Sequence, residues 1–416
     1  MHRKKILVLL ILGCELLRTG IAAAQSSAAK ENWVGSWGSS QQVPEPQNAL
    51  PAEDLRDATL RQIVHLLLGG KTLRVHVSNA FGTKPLHLTS VHVARPVSTA
   101  SSRIDPSSDR ALSFSGAADV TIPTGAEYVS DAVNYPVSAL SDLAITLHLD
   151  EPPVQQTGHP GSRATSYVAV GDQVAAADLP GAKKVEHWYL ISGVDVVAPA
   201  GGFSVVTLGD SITDGHGATT NGNDRWPDVL AQRLQAGAST RGVGVLNQGI
   251  GGNHLLTDGL GSNALARFDR DVLAQPGVRV VILLEGINDL GGLARMGEVP
   301  AAKHEALVHE MIGAYEQIVM RAHAHGIKVI GATVLPDLGS DYYQPKPADE
   351  ADRQAVNRWI RSAGNFDAVI DFDKVTADPS NPARLLPAYD SGDHLHPSPA
   401  GYSAMAGAIS LDLLTK

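Results

Sequence analysis

V-V-T-L-G-D-S-I-T, residues 205–213, is a short apolar run that stops at Gly209-Asp210-Ser211 and gives way to a polar segment. An apolar run of this length, ended by turn residues, fits a strand buried on both faces. Ser211 then sits at the C-terminal end of that strand. The pattern repeats downstream. Strands are expected at 204–208, 244–247, 279–284, 328–333 and 368–371, and helices at 224–234, 262–274, 301–325, 350–362 and 399–413. Gly326, just past the longest helix, has the position of a C-cap. Such alternation, with strands that are apolar almost throughout, predicts an α/β domain over 203–416: a parallel sheet with helices on both faces. In sheets of this kind, functional groups gather at the C-terminal strand ends.

Upstream the pattern is different. Residues 28–47 form a lead-in containing Trp33 and Trp37. Residues 60–67 and 72–78 read as strands, and Gly69-Gly70-Lys71 between them reads as a hairpin turn. Further short strand-like runs lie at 87–93, 111–114, 120–122, 129–133, 143–149, 166–170 and 185–196. Turn residues separate them, and no amphipathic run of helical length interrupts them. This predicts an all-β sandwich domain over 28–200, with the change of pattern near Gly201-Gly202.

The start of the chain reads as an export leader. Arg3, Lys4 and Lys5 precede an apolar run at 6–12, and Ala22-Ala23-Ala24 offers a small-residue cleavage site, so 1–24 is assigned as a signal peptide. Glu15 and Arg18 interrupt it too soon for a membrane-spanning helix. Cleavage after Ala24 would release a secreted or periplasmic protein. Processing at Cys14 would instead leave a lipid-anchored one, the only route to a membrane in this reading. Cys14 is the only cysteine among 416 residues, so no disulfide is expected. The net charge of −10 argues against a nucleic-acid surface.

A serine hydroxyl becomes a nucleophile when a histidine, itself oriented by a carboxylate, takes its proton. Asp393 and His396, three residues apart before the last helix, have a spacing that lets one short loop present the imidazole while the carboxylate reaches back to it. His394 and Asp390 are the local competitors. Acyl transfer also needs donors for a developing oxyanion. The second strand ends in a glycine-rich loop where Gly252, or Gly251, can offer an N–H, and the third ends at Asn288, whose amide can point to the same place. The alternatives are structural: Ser211 as a helix N-cap, Asn288 as a turn residue, Gly252 as a flexible loop glycine. Asp210 and Asp289 read as residues that hold loops through backbone N–H groups. His254, Glu285 and Arg225 lie near the strand ends and are candidates to contact substrate, each with an equally good structural role. His304, His309, His323 and His325 share one helix, but none has the one-turn spacing around a glutamate of a zinc-hydrolase helix, so no metal site is assigned.

Taken together, Gly209-Asp210-Ser211, Gly252, Gly286-Ile287-Asn288-Asp289 and Asp393-His394-Leu395-His396 resemble, in the same chain order, the SGNH/GDSL hydrolase superfamily. The resemblance covers about 203–414, with Ile212 in place of a leucine. It implies a flavodoxin-like three-layer domain and a catalytic set of Ser211, Asp393 and His396. It also implies an oxyanion hole built from the Ser211 and Gly252 N–H groups and Asn288, and no cofactor. The expected activity is that of an exported serine ester hydrolase working through an acyl-enzyme. The expected substrate is an acetylated polysaccharide such as xylan, from which O-acetyl groups are removed. A general short-chain carboxylesterase or lysophospholipase is the alternative. An inactive carbohydrate-binding or adhesion protein is the alternative of another class.

Overall fold

Val205, Val206 and Leu208 have no exposed surface in the computed structural model, which describes residues 31–415. The leader at 1–24, with Cys14, lies outside the described residues. The opening stretch forms strand β1 (Phe203–Gly209), and four more strands follow: β2 (Val243–Gly249), β3 (Val278–Leu284), β4 (Lys328–Ala332) and β5 (Ala368–Ile370). All pairs are parallel, in the order β2-β1-β3-β4-β5. This is the doubly wound, flavodoxin-like order, in which the chain reverses direction across the sheet between β2 and β3. Gly209 stands in register with Gly249 and Leu284, so three strands end at one level.

The helices are α1 (Ser211–Asp214), α2 (Trp226–Ala236), α3 (Ala264–Phe268), α4 (Ile287–Ala294), α5 (Ala301–Ala324), α6 (Pro347–Arg361), α7 (Phe372–Thr376), α8 (Pro399–Ala408) and α9 (Asp412–Thr415). They pack in two groups: α2 and α7 against α8, and α3, α4 and α6 against α5. Helix α5 buries Met311, Ala314, Tyr315, Ile318 and Ala322, one stripe at helical spacing, and leaves its other faces to charged residues. Gly326 follows it at φ 69°, as a C-cap glycine should. Two helices differ from expectation. The segment expected at 262–274 is α3 followed by a wider π-type turn over Asp269–Leu273, and that expected at 399–413 breaks after Ala408.

Beside two small two-stranded sheets, the first half of the described chain holds two large antiparallel ones. One contains Trp33–Gly38, Gly70–Ser78 and Ile191–Val197; the other contains Ala58–Leu66, Ser141–Leu149 and Ser166–Val170. Val75, Val77 and Val194 from the first meet Leu60, Val64 and Ile145 from the second in a shared core. The expected hairpin at Gly69-Gly70-Lys71 is corrected here. Ala58–Leu66 and Gly70–Ser78 belong to different sheets, so the glycines carry the chain across the sandwich. Ala58–Leu66 is buried on both faces, because a smaller second core with Ile63, Tyr167 and Leu179 covers its outer side. Arg61 lies on that outer side, also buried. It donates to Thr146 Oγ1 and to the carbonyls of Ser102, Val174 and Ala176, which satisfies its guanidinium.

The two halves are packed together, and Asn32–Lys416 forms one compact unit. Strand Trp33–Gly38, which sequence patterning had left in the lead-in, lies against the edge strand β2. Only glycine fits there: a Cβ on Gly35 would sit 2.6 Å from Leu246 Cδ1, and one on Gly244 would sit 2.3 Å from the Gly35 carbonyl. The Gly35 N–H donates to Ser204 Oγ on β1 at 3.0 Å. An edge that would otherwise be open to pairing is thereby covered.

Candidate active site

Helix α1 begins at Ser211, and its N-cap is Asp210, whose carboxylate accepts the Ile212 N–H at 2.9 Å. The capping role open to Ser211 thus belongs to its neighbour. The serine hydroxyl oxygen lies 2.8 Å from His396 Nε2 instead. His396 lies on the turn before α8, with its Nδ1 2.6 Å from Asp393 Oδ2. The other oxygen of Asp393 accepts the backbone N–H groups of Leu395 and His396, at 3.0 and 2.8 Å. Burial alone would raise the Asp393 carboxyl. The hydrogen bonds from the His396 ring and backbone outweigh burial and hold it well below the usual carboxylate range. An ionised carboxylate only accepts, so Nδ1 carries the imidazole proton and Nε2 turns its lone pair to the serine hydroxyl. The competitors pair with each other: His394 Nδ1 is 2.5 Å from Asp390 Oδ2, and the His394 ring is half exposed.

The other two strand ends converge on the same level. Gly252 has φ 68°, a conformation that favours glycine, and no acceptor for its N–H is found among the described residues. The Gly251 N–H is already engaged by Asp214 Oδ2 at 3.1 Å, which leaves Gly252 as the available donor of the pair. Asn288 is the second residue of α4, a helix the sequence did not announce. Its Nδ2 donates to the Asn253 carbonyl at 2.6 Å, and its Oδ1 accepts from the Tyr343 hydroxyl. Those two bonds fix the carboxamide and leave one of its N–H protons unclaimed. Asp289 accepts the N–H groups of Leu255 and Leu256, at 2.8 and 3.0 Å, and so ties the Gly252 loop to α4. Both aspartates beside the site hold backbone, as their positions suggested.

Beneath the strand ends lies a buried ionic cluster. Arg267, on α3, has no exposed surface on its side chain. It donates to the Gly209 carbonyl at 2.9 Å, the Gln248 carbonyl at 2.6 Å, Asn253 Oδ1 at 2.9 Å and Asp271 Oδ2 at 2.9 Å, and it reaches Glu285 Oε1 at 3.3 Å. One guanidinium thus joins the ends of β1 and β2, the Gly252 loop and the residue after β3. Burial, with Asp289 and Asp214 adding repulsion, pushes the Asp210 carboxyl up to about 7. Burial and the neighbouring Asp210 push Glu285 well above the carboxylate range.

This corrects two candidates. Glu285 is not placed to contact substrate, because its carboxyl is buried under the strand ends against Arg267. Arg225 is also turned away: it is buried, donates to the Ser162 carbonyl and lies 5.7 Å above the Trp188 ring. His254 stays at the rim on the Gly252 loop, partly exposed, with Nδ1 3.9 Å from Asp289 Oδ1. Sequence patterning missed His216, whose ring lies 4.1 Å from that of His396. A histidine five residues after the serine was the available signal. It also missed Tyr343 and Arg267, for which no local signal exists.

Among the described residues, two sets place three possible metal ligands together: His216, Asp393 and His396, which is the site itself, and His304, Asp349 and Asp352 between α5 and α6. In the second set His304 Nδ1 is 2.5 Å from Asp352 Oδ2, and Asp349 caps α6 by accepting the Lys346 N–H at 2.7 Å.

A serine, a histidine and an aspartate linked in series at the C-terminal ends of a doubly wound sheet, beside two preset N–H donors, are equipped for acyl transfer. Residues 207–404 match the GDSL-like Lipase/Acylhydrolase family, and this part of the chain belongs to the SGNH/GDSL hydrolase superfamily of esterases and acylhydrolases. No curated protein matches the chain. Among solved structures it is similar to a protein described as lipolytic and of the G-D-S-L family from Desulfitobacterium hafniense: 27% identity over 50% of this chain and 97% of that one, TM-score 0.37. A GDSL-like lipase from Bacteroides thetaiotaomicron shares 22% identity over 51% of this chain and 87% of its own, TM-score 0.38. The acetylxylan esterase Axe2 from Geobacillus stearothermophilus, as a catalytic mutant, shares 24% over 51% and 94%, TM-score 0.38.

Proposed function

We propose that the protein is an exported serine ester hydrolase that removes acetyl groups from a polysaccharide. The observation that carries the reading is the continuous chain from Ser211 Oγ through His396 to Asp393, at 2.8 and 2.6 Å. In the first half-reaction His396 Nε2 takes the serine proton as Oγ bonds to the ester carbonyl carbon. The N–H groups of Ser211 and Gly252 and the free Asn288 N–H receive the oxyanion. Collapse of the tetrahedral intermediate breaks the ester C–O bond, and His396 gives its proton to the departing alcohol. Water then repeats the sequence on the acyl-enzyme, releasing the acid and restoring the serine. Asp393 holds the imidazole in the required tautomer and stabilises it when it is charged.

Two features favour a short acyl group on a sugar. Leu260 crowds the space beside Gly252, its Cδ1 2.9 Å from where a Cβ would stand. Tyr342 is largely exposed next to Tyr343, the residue that holds Asn288, and the Arg295 guanidinium lies 5.0 Å from its ring. It offers a flat aromatic face near the site, suited to a sugar ring. With p-nitrophenyl esters we expect acetyl to be hydrolysed at least about tenfold faster than decanoyl, a gap of about 1.4 kcal/mol in the barrier, and acetate to be released from acetylated xylan. Faster decanoyl turnover would contradict the substrate and support the carboxylesterase or lysophospholipase alternative. Export rests on the leader at 1–24; an intact mass starting at Gln25 supports it, and a lipidated Cys14 supports the anchored form.

A further inference from the structure

We propose that the β-rich first half is a working part of the catalytic site: its segment 158–165 supplies two positioning residues, His159 and Arg163, without which the hydrolase half is incomplete. The inference rests on the reading of Ser211 as nucleophile and assigns a role to the half of the chain outside the family match.

The segment reaches both arms of the site. On one arm, His159 is buried, with Nδ1 2.8 Å from the Ser40 carbonyl and Nε2 2.8 Å from Asp214 Oδ1. Asp214 ends the short helix that Ser211 begins, and its second oxygen accepts the Gly251 N–H at 3.1 Å. His159 therefore fixes the carboxylate that fixes the loop carrying Gly252. The backbone comes equally close: a Cβ on Gly161 would stand 1.8 Å from Asp214 Oδ2. On the other arm, Arg163 Nη2 donates to His216 Nδ1 at 2.8 Å. With Nδ1 accepting, the His216 proton is on Nε2, which lies 3.8 Å from Asp393 Oδ2, while the ring lies 4.1 Å from that of His396.

The loop after α1 is clamped to the same segment. Asn221 donates its N–H to the Arg163 carbonyl at 2.8 Å, and its side chain pairs with the Thr165 backbone and hydroxyl at 2.8 and 2.9 Å. The segment is itself anchored, since Gly158–His159 pairs with Trp188–Tyr189 and Gly158 exchanges backbone hydrogen bonds with Gln42. The base, its orienting carboxylate and the oxyanion loop are thus braced by a rigid part of the other half.

The groups facing His216 are Arg163 from the segment, Asp214 from α1, and Asp393 and His396 from the turn before α8; the Tyr402 hydroxyl donates to its carbonyl at 2.6 Å. Burial, then the positive potential of His396 and Arg163, lowers the His216 imidazole to about 4, which keeps it neutral beside a base that must become charged.

The test uses the full chain and p-nitrophenyl acetate. In Arg163→Ala, kcat should fall by about tenfold with KM changed by less than about twofold, because a displaced base costs rate rather than binding. Arg163→Lys, which keeps a charged donor at this position, should recover part of kcat. Gly161→Ala, which pushes the segment off Asp214, should lower kcat independently. A folded Arg163→Ala protein with unchanged kcat overturns the proposal, as does a rate loss that only tracks a lower Tm and is not partly recovered by Arg163→Lys. Ser211→Ala is assayed alongside. If it remains active, the nucleophile reading fails and this inference with it. If it is inactive while Arg163→Ala and Gly161→Ala behave as wild type, this inference fails alone.

Discussion

In His396→Ala, turnover of p-nitrophenyl acetate is expected to fall by about 10⁴- to 10⁶-fold while the protein stays folded. The serine then keeps its hydroxyl but has nothing to take its proton, and the oxyanion donors supply only the residual rate. The neighbouring histidine should not substitute. His394 is paired with Asp390 at 2.5 Å on the same turn, and its ring is half exposed. His394→Ala should therefore stay within about threefold of wild type, a change of less than 1 kcal/mol in the barrier. A steady-state assay on the two variants checks both statements, and the reverse order would exchange their roles.

The second large effect concerns stability. Arg267→Met is expected to destabilise the protein by about 3–5 kcal/mol, because it leaves buried carboxyl groups and strand-end carbonyls without their shared donor. Glu285 loses its Arg267 contact, Asp271 is left with Arg270 and Ser40, and the carbonyls of Gly209 and Gln248 lose a hydrogen bond each. The loss should depend on pH, and the sign follows from the direction of the shifts. Asp210 sits at about 7 in the folded protein, and Glu285 is also raised, above the values of an unfolded chain. A group raised on folding contributes its full stability below its unfolded pKa and loses it as pH rises through its folded pKa. Without Arg267 the folded values rise further, so the penalty should be smaller near pH 5 than near pH 8. Urea unfolding at the two pH values measures it; an equal penalty at both would contradict the electrostatic account.

The parallel sheet was legible because its strands are buried on both faces and therefore apolar almost throughout, a signal that needs no knowledge of partners. The candidate site was legible for a related reason. Asp393 and His396 meet through one short turn, and Ser211, Gly252 and Asn288 each follow a recognisable strand. Other features depend on contacts that spacing does not encode. Gly69-Gly70 looks the same whether it closes a hairpin or carries the chain between two sheets, and only the pairing of Ala58–Leu66 with Ser141–Leu149 decides. Trp33–Gly38 is rich in glycine and serine because it lies close against β2, so it carries little strand propensity of its own. Helix α4 was hidden by Gly291 and Gly292, which have low helix propensity. Glu285 looked like a substrate contact because it follows a strand; its partner Arg267 comes from a separate element, α3. His159 and Arg163 lie in what read as an interstrand loop, far in sequence from the serine they brace.

The central claim is that Ser211 forms the covalent bond to the acyl group. It is tested most directly by treating the full-length protein with a fluorophosphonate and locating the label by peptide mass spectrometry. The account predicts one label per chain, carried by the peptide containing Ser211, absent in Ser211→Ala, and gained in step with the loss of esterase activity. A label on another residue, or full esterase activity in a protein labelled to completion at Ser211, would contradict it.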